Sequence, residues 1–226
     1  TRTKGFVEGA VAEQVMAYIL YFARRVDLQS ADMHDHSWNS RLMPGAKNRT
    51  LGLVGFGGIG TEVAKRAVPF GMKVIYFCRH PNPADDAAYG VQSVSMEELL
   101  KESDYVVAAV PLTDQTFHLF NEECIAQMKA GSVLINIARG PVVDEEALAQ
   151  ALASGHLGGC AVDVFPKEPC TDSVLTRYSN ALLTPHSATS TAENSKATNF
   201  AAANNLVNYL KKDIDAKYVV VQGTRY

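Results

Sequence analysis

The feature that most constrains the fold of this chain is a glycine-rich turn set between an apolar run and a helical segment. Residues 51–60 read L-G-L-V-G-F-G-G-I-G and contain the pattern G-x-G-x-x-G. Gly55 permits a tight turn, Gly57 lets the backbone approach a pyrophosphate, and Gly60 lets the helix pack on the strand. The first helical N–H groups attract phosphates, so the residues expected at the pyrophosphate are Gly55, Gly57, Gly58, Ile59 and Gly60. The pattern predicts a dinucleotide site, although a glycine-rich turn without a ligand would have the same sequence.

From residue 51 onward, short apolar runs alternate with amphipathic segments. The candidate strands are 51–55, 73–77, 105–110, 133–137, 160–164 and 181–184. The candidate helices are 59–69, 95–102, 121–128, 144–154 and 189–211, with Asp144 and Thr189 as caps and Gly155 as a stop. Strands that alternate with helices predict βαβ units. We therefore expect an α/β fold, a doubly wound parallel sheet of the Rossmann dinucleotide-binding type.

The first fifty residues follow a different pattern. Val7–Val26 predicts one long helix, because Val11, Val15, Ile19 and Phe22 recur at helical spacing. Residues 27–48 are polar and include a Pro-Gly pair, which indicates a loop.

Composition excludes several classes of function. The net charge of -3 and the pI near 6.1 argue against nucleic acid as a partner, since phosphate binding needs a clustered basic surface. No apolar run approaches the ~20 residues that span a bilayer, so we expect no membrane partner. The cysteines at 78, 124, 160 and 170 form no C-x-x-C pair, which favours reduced thiols in a cytoplasmic protein. Because the chain begins at Thr1 rather than Met, organelle targeting stays open.

A metal site is not expected either. His34-Asp35-His36 has two imidazoles and a carboxylate in one stretch. It has no nearby third ligand of matching spacing, and no cysteine spacing resembles a zinc site. A solvated loop is the better interpretation.

The end of the second candidate strand bears on cofactor choice. NAD-binding folds carry an acid for the adenosine ribose ~20 residues after the glycine turn. Here the run K-V-I-Y-F-C-R-H-P places Cys78, Arg79 and His80 at that strand end, and no carboxylate. Arg79 can pair with a 2′-phosphate with help from His80, and the missing acid removes the repulsion that would reject it. The strand end favours NADP(H), with NAD(H) bound without the acid as the alternative.

Four further segments carry a family resemblance. They are P-L-T-D-Q-T (Pro111–Thr116), I-N-I-A-R-G-P-V-V-D (Ile135–Asp144), A-V-D-V-F-P-K-E-P (Ala161–Pro169) and L-T-P-H-S (Leu183–Ser187). With the glycine turn, this ordered set closely resembles the D-isomer-specific 2-hydroxyacid dehydrogenases, from about Gly5 to about Leu210. Within that family, the C-R-H strand end looks most like the NADPH-dependent glyoxylate and hydroxypyruvate reductases.

The resemblance implies a catalytic trio of Arg139, Glu168 and His186. Reduction of a 2-keto acid puts hydride on the carbonyl carbon and a proton on its oxygen. His186 would donate that proton, Glu168 would support the imidazolium, and Arg139 would bind the substrate carboxylate. Taken singly, the three residues also fit a strand-end surface charge, a solvated turn and a helix-preceding cap.

The resemblance also implies further cofactor contacts. The expected walls of the dinucleotide site are Pro111, Leu112, Thr113, Ile137, Ala138, Arg139, Asp163, His186 and Ala188, with Asp163 near the nicotinamide carboxamide. His118 and His156 match no catalytic position, and we interpret them as surface residues.

The resemblance finally implies a domain arrangement and a partner. We expect residues 1–211 to form a dinucleotide-binding domain with a dimerisation helix at 7–26, and residues 212–226 to be the remnant of a largely absent substrate lobe. A homodimer acting on a small 2-keto or 2-hydroxy acid is expected, unless helix 7–26 is buried within one chain. The alternative function is a dinucleotide-sensing binding protein, similar to the transcriptional corepressors that share this fold.

Overall fold

The fold is built on one parallel β-sheet. The computed structural model describes residues 7–211 and residue 213. Its strands are β1 (Thr50–Val54), β2 (Lys73–Phe77), β3 (Gln92–Ser93), β4 (Tyr105–Ala108), β5 (Val133–Asn136), β6 (Gly159–Val162) and β7 (Ala181–Leu183). They lie in the order β3-β2-β1-β4-β5-β6-β7, and every neighbouring pair is parallel. The order reverses between β1 and β4, so the expected doubly wound α/β fold is confirmed.

Helices cover both faces of the sheet. They are α1 (Glu8–Arg24), α2 (Val26–His34), α3 (Gly58–Ala67), α4 (Pro83–Tyr89), α5 (Met96–Glu102), α6 (Glu122–Ala126), α7 (Glu145–Ala153) and α8 (Ala192–Leu210). Alternate strand residues point to two separate apolar clusters: Leu53 belongs to the cluster with α1 and α3, and Val54 to the cluster with α5, α6 and α7. Strands buried on both faces explain the nearly continuous apolar runs in the sequence.

Most of the predicted helices and strands are confirmed. Of the predicted helix-end residues, Asp144 and Gly155 are confirmed and Thr189 is not. The Asp144 side chain accepts hydrogen bonds from the amides of Glu146 and Ala147, as expected of an N-cap. Gly155 follows α7 with a φ of +73°, as expected of a stop. The prediction of Thr189 as a cap is wrong, because α8 begins at Ala192 and Thr191 is the residue that accepts from the Asn194 amide.

One predicted boundary is wrong, and three short elements were not predicted. The helix expected to end at Val26 ends at Arg24, and Arg25 turns the chain with a φ of +41°. The helix α2 then occupies residues predicted to be loop, and α4 and β3 were not predicted. Neither α2 nor α4 buries a residue, and β3 has two residues, so none of them has an apolar period to detect.

The helix α1 packs inside its own chain. Its apolar face, built on Val11, Val15 and Ile19, is fully or almost fully buried, and α1 lies against α3. The described helices are too short or too polar to cross a membrane. The predicted tail 212–226 lies, apart from residue 213, outside the described residues.

Candidate active site

The glycine turn between β1 and α3 has the geometry that dinucleotide binding requires. Gly55 has a φ of +104°, and a Cβ there would lie 2.5 Å from the Ala109 carbonyl oxygen, so only glycine fits. A Cβ at Gly60 would lie 2.6 Å from the Gly55 carbonyl oxygen. A Cβ at Gly57 would meet no atom within 4 Å, so this position faces open space. Gly57 gives α3 no side-chain cap, which leaves the first helical N–H groups available to an anion.

A cleft of about 440 Å³ opens at the point where the strand order reverses. It lies at the carboxyl ends of β1, β4 and β5, which is where ligands bind in open parallel sheets. Its lining includes Ile59, Pro111, Leu112, Ile137, Ala138 and Arg139, all predicted cofactor contacts. Ala109 and Val110 also line the cleft because they continue from β4 into it, and neither was a predicted site residue.

The loop after β4 is held in shape by one hydroxyl. Thr116 Oγ1 donates to the Pro111 carbonyl oxygen at 2.6 Å and accepts from the Thr113 amide at 2.8 Å. Pro111, Leu112 and Thr113 are all exposed, as a cofactor wall must be before its ligand binds. Thr116 belongs to the P-L-T-D-Q-T motif, but its role in this loop was not predicted, because threonine hydroxyls are weaker turn-forming groups than Asn or Asp side chains.

The end of β2 lies beside the glycine turn. The Gly55 amide donates to the Phe77 carbonyl oxygen at 2.8 Å, and Cys78 follows, half-buried against the apolar cluster. Arg79 and His80 are exposed. Within the described residues no hydrogen bond or ion pair involves the Arg79 side chain, so its guanidinium is available to a ligand.

His186 and Glu168 form a hydrogen-bonded pair. The Nδ1 atom of His186 lies 2.6 Å from Glu168 Oε2, and Glu168 Oε1 accepts from the Phe165 amide at 2.9 Å. The hydrogen bond to His186, then the one from Phe165, lower the pKa of Glu168 from its ordinary value. The side chains are 46% and 35% exposed, so the pair can be reached from solvent.

Arg139 links the cleft to this pair. It lines the cleft, and its positive charge is a smaller contributor to the lowered pKa of Glu168. Its turn is held by the buried Asn136, whose side chain donates to the Arg139 carbonyl oxygen at 3.2 Å and accepts from the Ala138 amide at 3.1 Å. A Cβ at Gly140 would lie 2.0 Å from the Phe165 carbonyl carbon. The segments that carry Arg139 and Glu168 therefore touch.

Asp163 is almost fully buried and holds the segment that carries His186. Its Oδ1 accepts from Thr184 Oγ1 at 2.5 Å and from the Ser187 amide at 2.8 Å. Its Oδ2 accepts from the Ala188 amide at 3.0 Å. The expected contact of Asp163 with a carboxamide stays a prediction. The role of Asp163 in organising this segment was not predicted, because its hydrogen-bond partners follow the next strand, more than twenty residues along the chain.

The remaining candidates lie apart from this site. His118 Nδ1 is 3.6 Å from Asp144 Oδ2, and His156 Nε2 is 3.0 Å from the Ile125 carbonyl oxygen. Burial raises the pKa of the Cys124 thiol to about 11 and that of Cys160 to about 12, so neither is a ready nucleophile. Among residues 7–211 and 213, no three His, Cys, Asp or Glu side chains converge as metal ligands would.

Comparison with known proteins agrees with this geometry. A glyoxylate reductase from Thermococcus litoralis is 38% identical over 228 residues, which cover 97% of this chain and 69% of that protein. A hydroxypyruvate reductase from Thermotoga maritima is 41% identical over 197 residues, covering 84% of this chain and 63% of that protein. The crystal structure of the TT0316 protein from Thermus thermophilus superposes with a TM-score of 0.87 at 39% identity, covering 98% of this chain and 71% of that one.

These relatives do not favour the corepressor alternative, since the two named for an activity are reductases. The chain spans between 63% and 69% of their length. The family model described as the NAD binding domain of D-isomer specific 2-hydroxyacid dehydrogenases matches residues 16–188. The chain therefore belongs to the D-isomer specific 2-hydroxyacid dehydrogenase family and carries its NAD-binding domain.

Proposed function

We propose that this protein reduces small 2-keto acids of the glyoxylate or hydroxypyruvate type to the corresponding 2-hydroxy acids. The observation that carries the proposal is the His186–Glu168 pair at 2.6 Å, beside the cleft that Arg139 lines. Carbonyl reduction of a 2-keto acid needs a proton donor, a carboxylate that supports the donor and a guanidinium that binds the substrate carboxylate. The names of the relatives support the same substrate class.

Each member of the trio has a distinct task in the proposed reaction. A bound reduced nicotinamide dinucleotide supplies the hydride for the carbonyl carbon. His186 holds Glu168 through Nδ1, which leaves Nε2 to give a proton to the carbonyl oxygen. Glu168 fixes the ring and favours its charged form. Arg139 binds the substrate carboxylate and polarises the carbonyl, and in the reverse direction His186 accepts the proton.

We further propose that NADP(H) is preferred to NAD(H). The support is the end of β2, where Arg79 is exposed and has no partner among the described residues, and where Cys78 stands in place of a ribose-binding acid. A guanidinium matches a 2′-phosphate, whereas a thiol is a poor acceptor for two ribose hydroxyls. The family description, an NAD binding domain, supports a nicotinamide dinucleotide, and the preference for the phosphorylated form rests on the end of β2 alone.

We also propose a homodimer, with residues 1–211 as its dinucleotide-binding domain. The apolar face of α1 is buried against α3, which matches the alternative expectation that helix 7–26 belongs to the core of one chain. The proposed contact surface is therefore α2 and the segment after it, where Val26 and Trp38 are 62% and 86% exposed and Leu42 is fully exposed. Trp38 is the one tryptophan of the chain, so its fluorescence reports directly on this surface. We expect the emission maximum of Trp38 to shift to shorter wavelength as the protein concentration rises. The shift should be lost in Leu42→Ser and kept in the control variant Phe70→Ser. A concentration-independent monomer would contradict the dimer.

The test of the function is consumption of NADPH or NADH by the protein with glyoxylate or hydroxypyruvate. We expect turnover with at least one of these acids, and a loss of at least ~10²-fold in His186→Gln because the general acid is removed. Dinucleotide binding, measured by fluorescence quenching, should survive that substitution. A protein that binds the dinucleotide and reduces neither acid, or a His186→Gln variant with normal turnover, would refute the proposal.

A further inference from the structure

A chain of hydrogen bonds joins α1 to the segment that carries His186. The Tyr18 side chain is 1% exposed, and its hydroxyl lies 2.5 Å from Thr184 Oγ1. Thr184 Oγ1 in turn lies 2.5 Å from Asp163 Oδ1. A carboxylate only accepts, so the single Thr184 proton is given to Asp163, and Tyr18 must therefore donate to Thr184.

Asp163 then fixes the backbone on both sides of the His186 side chain. The amides of His186, Ser187 and Ala188 donate to the carbonyl oxygen, Oδ1 and Oδ2 of this one residue, at 2.8, 2.8 and 3.0 Å. His186 itself has a φ of +51°, which is uncommon for a residue with a side chain. Such a conformation persists only where its surroundings over-determine it. Asp163 supplies that constraint.

The Asp163 carboxylate is held in place by hydrogen bonds rather than by a cation from the described residues. Among residues 7–211 and 213, no ion pair reaches its carboxylate, which is 2% exposed. A buried carboxylate without a cation needs its hydrogen bonds in good geometry. The Thr184 hydroxyl is one of those donors, and the Tyr18 hydroxyl directs and polarises it.

We propose that Tyr18 is a positioning residue for His186, acting through Thr184 and Asp163. The inference rests on the proposed function, in which His186 gives the proton. The imidazole must meet both Glu168 and the substrate, and displacements well below the size of an atom reduce turnover. The helix α1 thereby contributes to catalysis from within the apolar cluster, without touching the reacting atoms.

The first test is kinetic. Tyr18→Phe removes one hydroxyl and keeps the ring, so we expect kcat for glyoxylate or hydroxypyruvate to fall about three- to tenfold, the effect of one hydrogen bond, with KM little changed. In a His186→Gln background the same substitution should have no further effect, because the residue it positions is absent. The proposal would be overturned if Tyr18→Phe alone left kcat unchanged. It would also be overturned if Tyr18→Phe lowered kcat by the same factor in the His186→Gln background as in wild type.

Matched variants separate the hydroxyl from general destabilisation. Tyr105→Phe removes the hydroxyl of another buried tyrosine and should leave kcat unchanged. Tyr105 is the first residue of β4, so it lies at the amino ends of the strands, whereas the cleft lies at their carboxyl ends. Thr184→Val should reproduce the Tyr18→Phe effect, and Thr184→Ser should largely restore it. If Thr184→Ser is as impaired as Thr184→Val, the hydroxyl relay is wrong.

A second readout does not need activity. Proton NMR observes the ring signals of all six histidines, and His186→Gln identifies those of His186. In Tyr18→Phe we expect the ring signals of His186 to change in chemical shift and to broaden, as its contact with Glu168 loosens, with the signals of the other five unchanged. If no keto acid is turned over but this change is seen, the proposed function fails and the positioning role stands. Unchanged ring signals of His186 in Tyr18→Phe would refute the positioning role.

Discussion

At the scale of single residues, the proposed trio is only partly in the arrangement that the proposed reaction needs. His186 and Glu168 are bonded to each other, whereas Arg139 donates through Nη1 to the carbonyl oxygen of its neighbour Ala138 at 2.6 Å. Arg139 is exposed, so its remaining donors can turn towards a substrate carboxylate. The proposed acid–base pair is thus already hydrogen-bonded, while we expect the guanidinium to complete its contacts when substrate binds.

The charge of Glu168 should set the pH dependence of reduction. Its lowered pKa keeps the carboxylate ionised below the usual range of a glutamate, so it supports imidazolium throughout the range in which histidine titrates. In Glu168→Gln the neutral amide gives less support, and the pH above which reduction declines should move lower. The measurement is kcat against pH, with the exposed Glu146→Gln as control. Identical profiles for wild type and Glu168→Gln would exclude an electrostatic role.

Cofactor preference should depend on Arg79. Arg79→Ala should weaken NADPH binding by ~1.5–3 kcal/mol, about ten- to a hundredfold, because a charge-assisted contact to the 2′-phosphate is lost. NADH binding should hardly change. Titration of both cofactors measures this, with the exposed Arg177→Ala as control, and Cys78→Asp should shift preference towards NADH. Tighter binding of NADH than NADPH by wild type would disprove the preference.

At the scale of elements, two glycines of the β1–α3 turn have different tasks: Gly57 serves dinucleotide binding and Gly55 serves folding. Gly57 faces open space at a φ of -96°, so Gly57→Ala should fold but lose most dinucleotide affinity, since the methyl group occupies the approach to the pyrophosphate. Gly55→Ala should instead lower the unfolding midpoint, because its Cβ meets the Ala109 carbonyl oxygen. Thermal unfolding and cofactor titration on both variants distinguish the two effects. Normal affinity in a folded Gly57→Ala protein would place the pyrophosphate elsewhere.

At the scale of the whole molecule, the two apolar clusters share every central strand. Leu53 and Val54 are neighbours in β1 and belong to opposite clusters. If one cluster came apart, one face of the sheet that supports the other cluster would be exposed to water. We expect the described fold to unfold in one cooperative transition. A dinucleotide at a hundred times its Kd should add ~2.7 kcal/mol to the free energy of unfolding, with no such gain in Gly57→Ala. Two separate calorimetric transitions would show that the clusters are independent.

The sequence by itself determined the sheet, the glycine turn and the order of the trio, because each depends on local period, backbone freedom or adjacent motifs. It could not reveal α2, α4 or β3, which bury too little apolar surface to leave a period. Nor could it show that Tyr18 reaches Thr184, or that Gly140 rests on Phe165. Tyr18 fits the apolar period of α1 as well as any core residue would. Only the packing of α1 against the sheet, a contact between residues far apart in the chain, turns its hydroxyl towards the segment that holds His186.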